Sequence, residues 1–331
     1  MSNRVKPTND ECQMTNLASI DIGSHTARLL ISRKIGAPVL FNPLIRRRTY
    51  IRMAEGFEDQ GKKTINPAAI DRVLNSLKDF ASATRKYNVD NTYAISTGVM
   101  RRAVNRDHLL NLIYEHTGFK VKVVSGDEEA RLTGKGVLHS LNIQGEPFVI
   151  FDLGGGSTEF IFGRNDVADV TSIPLGAMIL TQRFLTSDPP DKDSIEALSR
   201  YVDKALKKVF SGKTYIKNDH LLVGTGGTVT TLAAMIYGID PKVISPSGMN
   251  GLILKRALIE ELFSRMKTQA INERLKLTGL DRGRADVIIA GSIVVIRILH
   301  FFKSLQMTVS LSDLLEGILI ENLAPLHPTT R

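Results

Sequence analysis

Short apolar runs separated by turn residues divide the chain into two stretches with the same order of predicted elements. The first stretch predicts strands at 17–22, 27–34, 38–46, 91–96 and 120–124. Asn66 and Pro67 open a helix between them, because asparagine caps helices well and proline fits the first turn. A second helix is predicted at 106–117.

The second stretch repeats this order. It predicts strands at 148–153, 158–163, 167–173 and 220–223, with helices at 177–185, 192–210 and 228–237. Two tandem units of this kind predict an α/β protein of two related lobes with a cleft between them, and a boundary near 125–135.

The C-terminal third is predicted to be mostly helical. Its expected elements are helices at 255–267, 270–277 and 283–304, a strand at 307–311 and a last helix at 313–323. Periodicity alone leaves open whether that last helix packs on the second lobe or crosses back to the first.

Three glycine-rich turns are the main candidates for chemistry. They are Gly23-Ser24-His25-Thr26, Gly154-Gly155-Gly156-Ser157-Thr158 and Gly224-Thr225-Gly226-Gly227-Thr228. Glycine lets backbone amides approach an anion, and the hydroxyl groups and His25 add donors, so the set predicts phosphate binding. No P-loop motif is present, and Val229 stands where a dinucleotide fold has its third glycine.

Acidic residues accompany these turns. Asp21 and Asp152 each end an apolar strand just before a turn, in DIGSHTARLLI and DLGGGSTEFIF. As a pair across two lobes they suit Mg²⁺ or another divalent cation such as Mn²⁺. Ser125 and Glu128 predict a capping box, and Glu129 follows in the first helical turn, where an acidic residue commonly offsets the helix dipole.

Composition and charge limit the classes of molecule that the chain is expected to bind. The net charge of +9 favours anionic ligands, but no zinc-finger, homeodomain or RNA-recognition signature accompanies the arginine clusters at 46–52 and 101–102, so no nucleic-acid partner is expected. The lone Cys12 excludes an internal disulfide and favours a cytoplasmic protein. The apolar stretch at 287–299 is too short to span a bilayer, so no membrane association is expected.

Five ordered motifs carry a family resemblance: ASIDIGSHTARLLIS, STGVMRRAVN, VVSGDEEARL, FVIFDLGGGSTEFIFG and LLVGTGGTVTTLAA. Together with LTGLDRGRADVIIAGSIVV they resemble the exopolyphosphatase/guanosine pentaphosphate phosphohydrolase family over residues 18 to about 320. The resemblance implies the actin/Hsp70/sugar-kinase fold, with ribonuclease H-like lobes, and a last helix that returns to the first lobe. We therefore expect a flexible tail at 1–16, a first lobe of 17–130 plus 311–331, and a second lobe of 131–310.

The resemblance also implies site roles. Glu129 would activate the attacking water, with Asp152 positioning metal and water and Glu159 closing the same motif. Arg101 would contact the phosphate chain, and the residues matching phosphate-contacting turns are Gly23, Ser24, Gly154, Gly155, Gly156, Ser157, Gly226, Gly227 and Thr228. A homodimer is expected as well.

The implied reaction is metal-dependent hydrolysis of the terminal phosphoanhydride of inorganic polyphosphate. The alternatives are 5′-phosphohydrolysis of guanosine pentaphosphate, phosphotransfer on the same fold, and a phosphate-chain-binding protein that has lost catalysis. Two positions depart from the family pattern, His25-Thr26 in place of Asn-Ser or Asn-Thr, and Leu315 in place of an arginine. Longer members carry a further C-terminal helical domain of HD type, and the short form is expected here.

Overall fold

The computed structural model describes residues 15–35, 40–57, 63–211 and 220–323, which form two mixed β-sheets flanked by helices. The first sheet has the strand order β3-β2-β1-β4-β5. Its strands are β1 (Asn16–Ile22), β2 (Thr26–Ile35), β3 (Leu40–Tyr50), β4 (Asn91–Ser96) and β5 (Val121–Val123). The helices α1 (Pro67–Lys86) and α2 (Arg106–Thr117) connect them, and α3 (Gly126–Leu141) leads to the second sheet.

The second sheet has the order β10-β11-β9-β6-β7-β8. Its strands are β6 (Phe148–Leu153), β7 (Thr158–Gly163), β8 (Val167–Ile173), β9 (Leu221–Thr225), β10 (Ile253–Lys255) and β11 (Gln306–Val309). The helices of the second half of the chain are α4 (Ala177–Phe184), α5 (Lys192–Phe210), α6 (Gly227–Tyr237), α7 (Pro246–Met249), α8 (Arg256–Met266), α9 (Ile271–Arg274) and α10 (Ile288–Phe301), and α11 (Leu314–Leu323) follows β11. The run β8-β7-β6-β9-β11 has the order of the first sheet, with β10 added at its edge, so the predicted repeat is confirmed.

Apolar periodicity explains the packing of the second half. Helix α5 buries Leu198, Val202, Leu206 and Phe210, which recur every four residues and so lie on one face. Helix α10 is apolar almost all round, and most of its length is buried against the same core, as expected for the 287–299 stretch. This core fixes the ends of β6 and β9, where two of the glycine turns begin.

Two helix starts follow the sequence signals. The side chain of Asn66 accepts a hydrogen bond from the Ala69 amide, with Pro67 in the first turn of α1. Ser125 likewise accepts from the Glu128 amide at the start of α3. The second half of the predicted capping box is absent, because the Glu128 carboxylate pairs with Lys122 instead.

Helices α3 and α11 cross in backbone contact. A Cβ built at Gly136 would lie 1.9 Å from the carbonyl oxygen of Asp313, and one at Gly317 would lie 1.8 Å from that of Leu132. Only glycine permits this approach. Helix α11 also contacts β1 and β2 of the first sheet, which answers the question that periodicity left open. The exact lobe boundaries stay a prediction.

Several predicted boundaries were wrong. β3 continues to Tyr50, where it still pairs with β2. The prediction stopped at residue 46 because the arginine-rich end has no apolar alternation. The helix predicted at 283–304 is a 3₁₀ turn at 282–284 followed by α10, and the helix predicted at 270–277 is only α9. β10 was not predicted, because three residues are too few to show an alternation of apolar and polar side chains. Residues 1–14 of the predicted tail, 38–39 of the third strand and 324–331 lie outside the described residues.

Candidate active site

The repeated hairpins place two carboxylates at equivalent points of the two sheets. Asp21 lies near the end of β1, directly opposite Arg28 on β2. Asp152 lies near the end of β6, directly opposite Glu159 on β7. Each aspartate is therefore followed at once by a glycine turn, and each hairpin adds one further charged side chain seven residues later.

The three turns meet one another. A Cβ built at Gly155 would lie 2.9 Å from the Cβ of His25, and one at Gly156 would lie 2.8 Å from Ser24 Oγ. The first two turns are thus in direct contact. Gly226, with φ of +92°, packs its Cα against the backbone of β6 beside the Asp152 carboxylate. This geometry brings segments that are about 130 and 200 residues apart in sequence to one place.

These segments line one cavity of about 350 Å³. Most of the predicted site residues line it: Asp21, Gly23, Ser24, His25, Thr26, Glu129, Asp152, Gly154, Gly155, Gly156, Ser157, Glu159, Gly226 and Gly227. Two do not. Arg101 pairs with Glu129 behind the cavity, and Thr228 is buried in α6 against Gly291.

The carboxyl groups of the cavity are poorly solvated. Burial, reinforced by the charge of Glu159, raises the pKa of Glu129 to about 8. Burial, with Asp313 nearby, also raises the pKa of Asp152 to about 8. The pKa of Glu159 is raised to about 7, by burial first and then by Asp152. Such a cluster of mutually repelling carboxylates is stabilised by any cation that enters it.

Arg28 supplies one such cation, and sequence reasoning missed it. Its Nε lies 2.9 Å from Asp21 Oδ2, and its Nη1 pairs with Asp313, the residue before α11. Burial disfavours its charge, but Asp313 and Asp21 outweigh this and raise the pKa of Arg28. The available signal was a charged residue between Ala27 and the apolar run at 29–31.

Arg284 is a second cation that the sequence did not single out. It lines the cavity, only 8% of its surface is exposed, and its Nε is buried without a hydrogen-bond partner among the described residues. Its guanidinium lies so close to Gly227 that a Cβ there would be 1.7 Å from Nη2. Burial lowers its pKa, so an anion in the cavity would stabilise its charge.

His25 does not act as a cation. Its Nε2 donates to the Gly283 carbonyl oxygen at 3.2 Å, and its Nδ1 lies 3.3 Å from Met178 Sδ. Burial, together with Arg284, lowers the pKa of His25 to about 4, so the ring is neutral near pH 7. The ring therefore ties the first turn to the segment before α10, and its backbone remains at the cavity.

Further arginines of the basic cluster at 46–52 form ion pairs. Arg48 pairs with Asp281, and Arg52 Nη1 lies 2.7 Å from Asp286 Oδ2. Arg46 pairs with Glu316 of α11. Arg47 also lines the cavity and forms no ion pair with the residues that the structure describes. Leu315 lines the same wall, so the position where the family pattern has arginine contributes an apolar surface.

Two residues could hold a divalent cation. Asp21 Oδ1 is buried without a hydrogen-bond partner among the described residues, and Asp152 lies beside it in the same cavity. Within the described ranges no three histidine, cysteine or acidic residues are arranged to hold a metal by themselves. Mg²⁺ commonly uses one or two carboxylates and takes its other ligands from phosphate and water, so the pair fits.

No helix within the described ranges has the length and apolar character that crossing a membrane requires.

Comparisons with known proteins agree with the fold and the motifs. Exopolyphosphatase 2 of Mycobacterium tuberculosis is 32% identical over 320 residues, which cover 92% of this chain and 98% of its own length. Exopolyphosphatase 1 of Mycobacterium leprae is 28% identical over 281 residues, 84% of this chain and 80% of its own.

Solved structures show that the similarity includes the fold. The Ppx/GppA family member of Aquifex aeolicus has a TM-score of 0.78 at 29% identity, covering 94% of this chain and 98% of its own. An exopolyphosphatase from Cytophaga hutchinsonii has a TM-score of 0.84 at 26% identity, covering 93% of this chain and 98% of its own. Nucleoside triphosphate hydrolases of Neospora caninum, at 11% identity and a TM-score of 0.55 over 94% of this chain and 92% of theirs, share the fold alone. The predicted two-lobed actin-like α/β fold is confirmed.

The family model matches residues 30–325, which include Glu129 and the second and third glycine turns. The chain belongs to the Ppx/GppA phosphatase family.

Proposed function

We propose that this protein is an exopolyphosphatase, which hydrolyses the terminal phosphoanhydride of inorganic polyphosphate. Family membership makes the chain a phosphoanhydride hydrolase, and relatives at 28–32% identity are named exopolyphosphatases. The observation that carries the proposal is the meeting of Glu129 with all three glycine turns at one cavity.

Phosphate would be held by the turns and by cations of the cavity. The amides at the start of α6 favour negative charge, and Arg284 lies against that start without a carboxylate bonded to it. Arg47 and Lys242 add charge to the cavity walls. Phosphoryl transfer relies on positioning and charge neutralisation, which this arrangement of donors supplies.

Glu129 is proposed as the proton acceptor for the attacking water. One carboxylate oxygen, Oε2, is held by Arg101, and Oε1 has no hydrogen-bond partner among the described residues. The raised pKa of Glu129, about 8, makes the ionised carboxylate a stronger base than an exposed glutamate. Glu159 and Asp152 complete the acidic side of the cavity, where water attacking the terminal phosphorus would be oriented.

The proposed cation site consists of Asp21 and Asp152. A bound Mg²⁺ or Mn²⁺ would neutralise phosphate oxygens there. Asp21 offers Oδ1, since its Oδ2 accepts from Arg28, and Arg28 in turn holds that carboxylate in place. A readout that does not depend on activity is available: either cation should raise the thermal midpoint of the wild type more than that of an Asp21→Asn variant.

The decisive experiment compares Glu129→Gln with Glu128→Gln. Both variants replace a carboxyl group in the first turn of α3 with an amide of the same shape, but Glu128 faces Lys122 rather than the cavity. Loss of a general base lowers the rate by about 10²–10⁴-fold. We therefore expect phosphate release from polyphosphate to fall by this factor in Glu129→Gln, with binding retained, and to stay near wild type in Glu128→Gln. Full activity of Glu129→Gln would rule out its proposed role.

The same assay separates the alternatives. Guanosine pentaphosphate in a parallel reaction tests the second substrate, and ATP with a phosphate acceptor tests phosphotransfer. Tight polyphosphate binding without phosphate release under Mg²⁺ or Mn²⁺ would indicate a binding protein. Homodimer formation also stays a prediction, which light scattering of the purified protein can test.

A further inference from the structure

Arg101 contacts the very residue that is proposed to act as the base. It ends a 3₁₀ helix, Gly98–Arg101, that follows β4. Its Nη1 lies 2.6 Å from Glu129 Oε2 and 3.3 Å from the Val124 carbonyl oxygen. Arg101 does not line the cavity, whereas Arg28 and Arg284 do. The phosphate contact that the resemblance implies for Arg101 stays a prediction.

The surroundings of Arg101 indicate why it lies there. Its Nη2 lies against the start of α3, since a Cβ at Gly126 would be 3.9 Å from it. A cation at a helix N-terminus is disfavoured by the helix dipole. The carboxylate of Glu129 compensates for this position, and it is the acidic group that Arg101 contacts.

The 3₁₀ helix also touches the first glycine turn. The Val99 amide donates to Ser24 Oγ at 3.2 Å. Gly98 has φ of +58°, and a Cβ on it would lie 2.0 Å from Ser24 Oγ. The first turn, the 3₁₀ helix and the Glu129 carboxylate are thus linked by consecutive direct contacts, so a displacement of one is passed to the next.

We propose that Arg101 is a positioning residue, which holds Oε2 of Glu129 so that Oε1 faces the water at a fixed distance from phosphate bound in the first turn. This inference rests on the proposed function, because it assigns Arg101 to the base and not to the substrate. A buried carboxylate with one anchored oxygen keeps one orientation, and a misplacement of about 1 Å at such a site costs about 10²-fold in rate.

The test uses Arg101→Ala and Arg101→Lys, with Arg131→Ala as the matched control. Arg131 carries the same charge, lies two residues after Glu129 on α3, and is exposed on the outer side of the helix. We expect Arg101→Ala to lower kcat by about 10–100-fold while KM for polyphosphate changes by less than about threefold. Arg101→Lys should fall between Arg101→Ala and wild type, and Arg131→Ala should match wild type.

Chemical rescue distinguishes positioning from a merely structural role. Added guanidinium at low millimolar concentration should restore part of the kcat of Arg101→Ala and leave Arg131→Ala unchanged. A raised KM with unchanged kcat would instead make Arg101 a phosphate ligand and overturn the proposal. Wild-type kinetics in Arg101→Ala would overturn it as well.

A double-mutant cycle separates this proposal from the proposed function. Urea unfolding is measured for Arg101→Ala, Glu129→Gln and the double variant. If the two side chains interact as proposed, Glu129→Gln shifts the unfolding midpoint less in the Arg101→Ala variant than in the wild type. If the wild type releases no phosphate from polyphosphate, the proposed function fails and this cycle still decides the pairing. Additive midpoints would refute the pairing even in an active enzyme.

Discussion

The glycine contact between α3 and α11 gives a prediction that links stability to catalysis. Replacing Gly136 with alanine would put a Cβ 1.9 Å from the Asp313 carbonyl oxygen, whereas ordinary contact begins at 3.4 Å. The two helices must therefore separate by about 1.5 Å at this point. The group that must move is backbone, so no side-chain rotation relieves the contact.

Both helices carry groups of the cavity. Glu129 lies seven residues before Gly136 on α3, roughly 10 Å away along the axis, and Asp313 pairs with Arg28 just before α11. Overpacking costs about 1–3 kcal/mol, and the better helix propensity of alanine offsets about 1 kcal/mol of it. We expect Gly136→Ala to lose up to about 2 kcal/mol of unfolding free energy. If about two thirds of the displacement, roughly 1 Å, reaches Glu129, kcat for phosphate release should fall by about 10²-fold.

Gly134→Ala is the matched control, because it makes the same change two residues earlier in α3. Its Cβ would meet Val167 Cγ2 at 2.7 Å and Ile161 Cγ2 at 3.0 Å, which belong to side chains that can adjust. Urea unfolding and phosphate release are measured for both variants and for wild type. Equal losses in the two variants, or wild-type kcat in Gly136→Ala, would refute the reasoning that the helix crossing positions Glu129.

Three further predictions follow from the cavity. The buried carboxyl groups have raised pKa values, so between about pH 4.5 and pH 8 the folded state binds more protons than the unfolded state. The thermal midpoint of the metal-free protein should therefore fall as pH rises from 5 to 8, and Mg²⁺ should restore it most at pH 8; a midpoint that rises would contradict the assignment. The rate of hydrolysis should increase with pH toward about 8, because Glu129 must be ionised to accept a proton, and this rise should disappear in Glu129→Gln. Gly227→Ala should displace Arg284 and raise KM for polyphosphate by about 10–100-fold, as expected when a charge-assisted hydrogen bond worth about 1.5–3 kcal/mol is lost; Gly248→Ala, which meets only Ser245 Oγ at 3.5 Å, should bind like wild type.

The sequence predicted the parts of the fold that have a strong period. The long amphipathic helices, the capped start at Asn66 and the repeated hairpins at Asp21 and Asp152 were all identified, because each has a local signal. Short elements such as β10, and the arginine-rich end of β3, gave no such signal. Their conformation depends on neighbouring strands that are distant in sequence.

The site was predictable in outline for the same reason. Glycine turns and acidic residues are visible as motifs, and nearly all of them line the cavity. Arg284 could not be identified locally, because its significance lies in its packing against Gly227, more than fifty residues earlier. Arg101 was visible as part of a motif, but only the fold reveals that its guanidinium reaches Glu129. Pairing between distant segments is decided by tertiary packing, which a single sequence does not encode in any local pattern.

The two hairpins carry opposite charges at one corresponding position. Seven residues after its aspartate, the first hairpin carries Arg28 and the second carries Glu159. Arginine at both positions would favour retention of the phosphate product, and glutamate at both would repel the incoming polyanion. In the proposed reaction the first hairpin would thus hold the Asp21 carboxylate through Arg28, and the second would orient water through Glu159. A protein built from two identical copies of either half would therefore not carry out the proposed reaction.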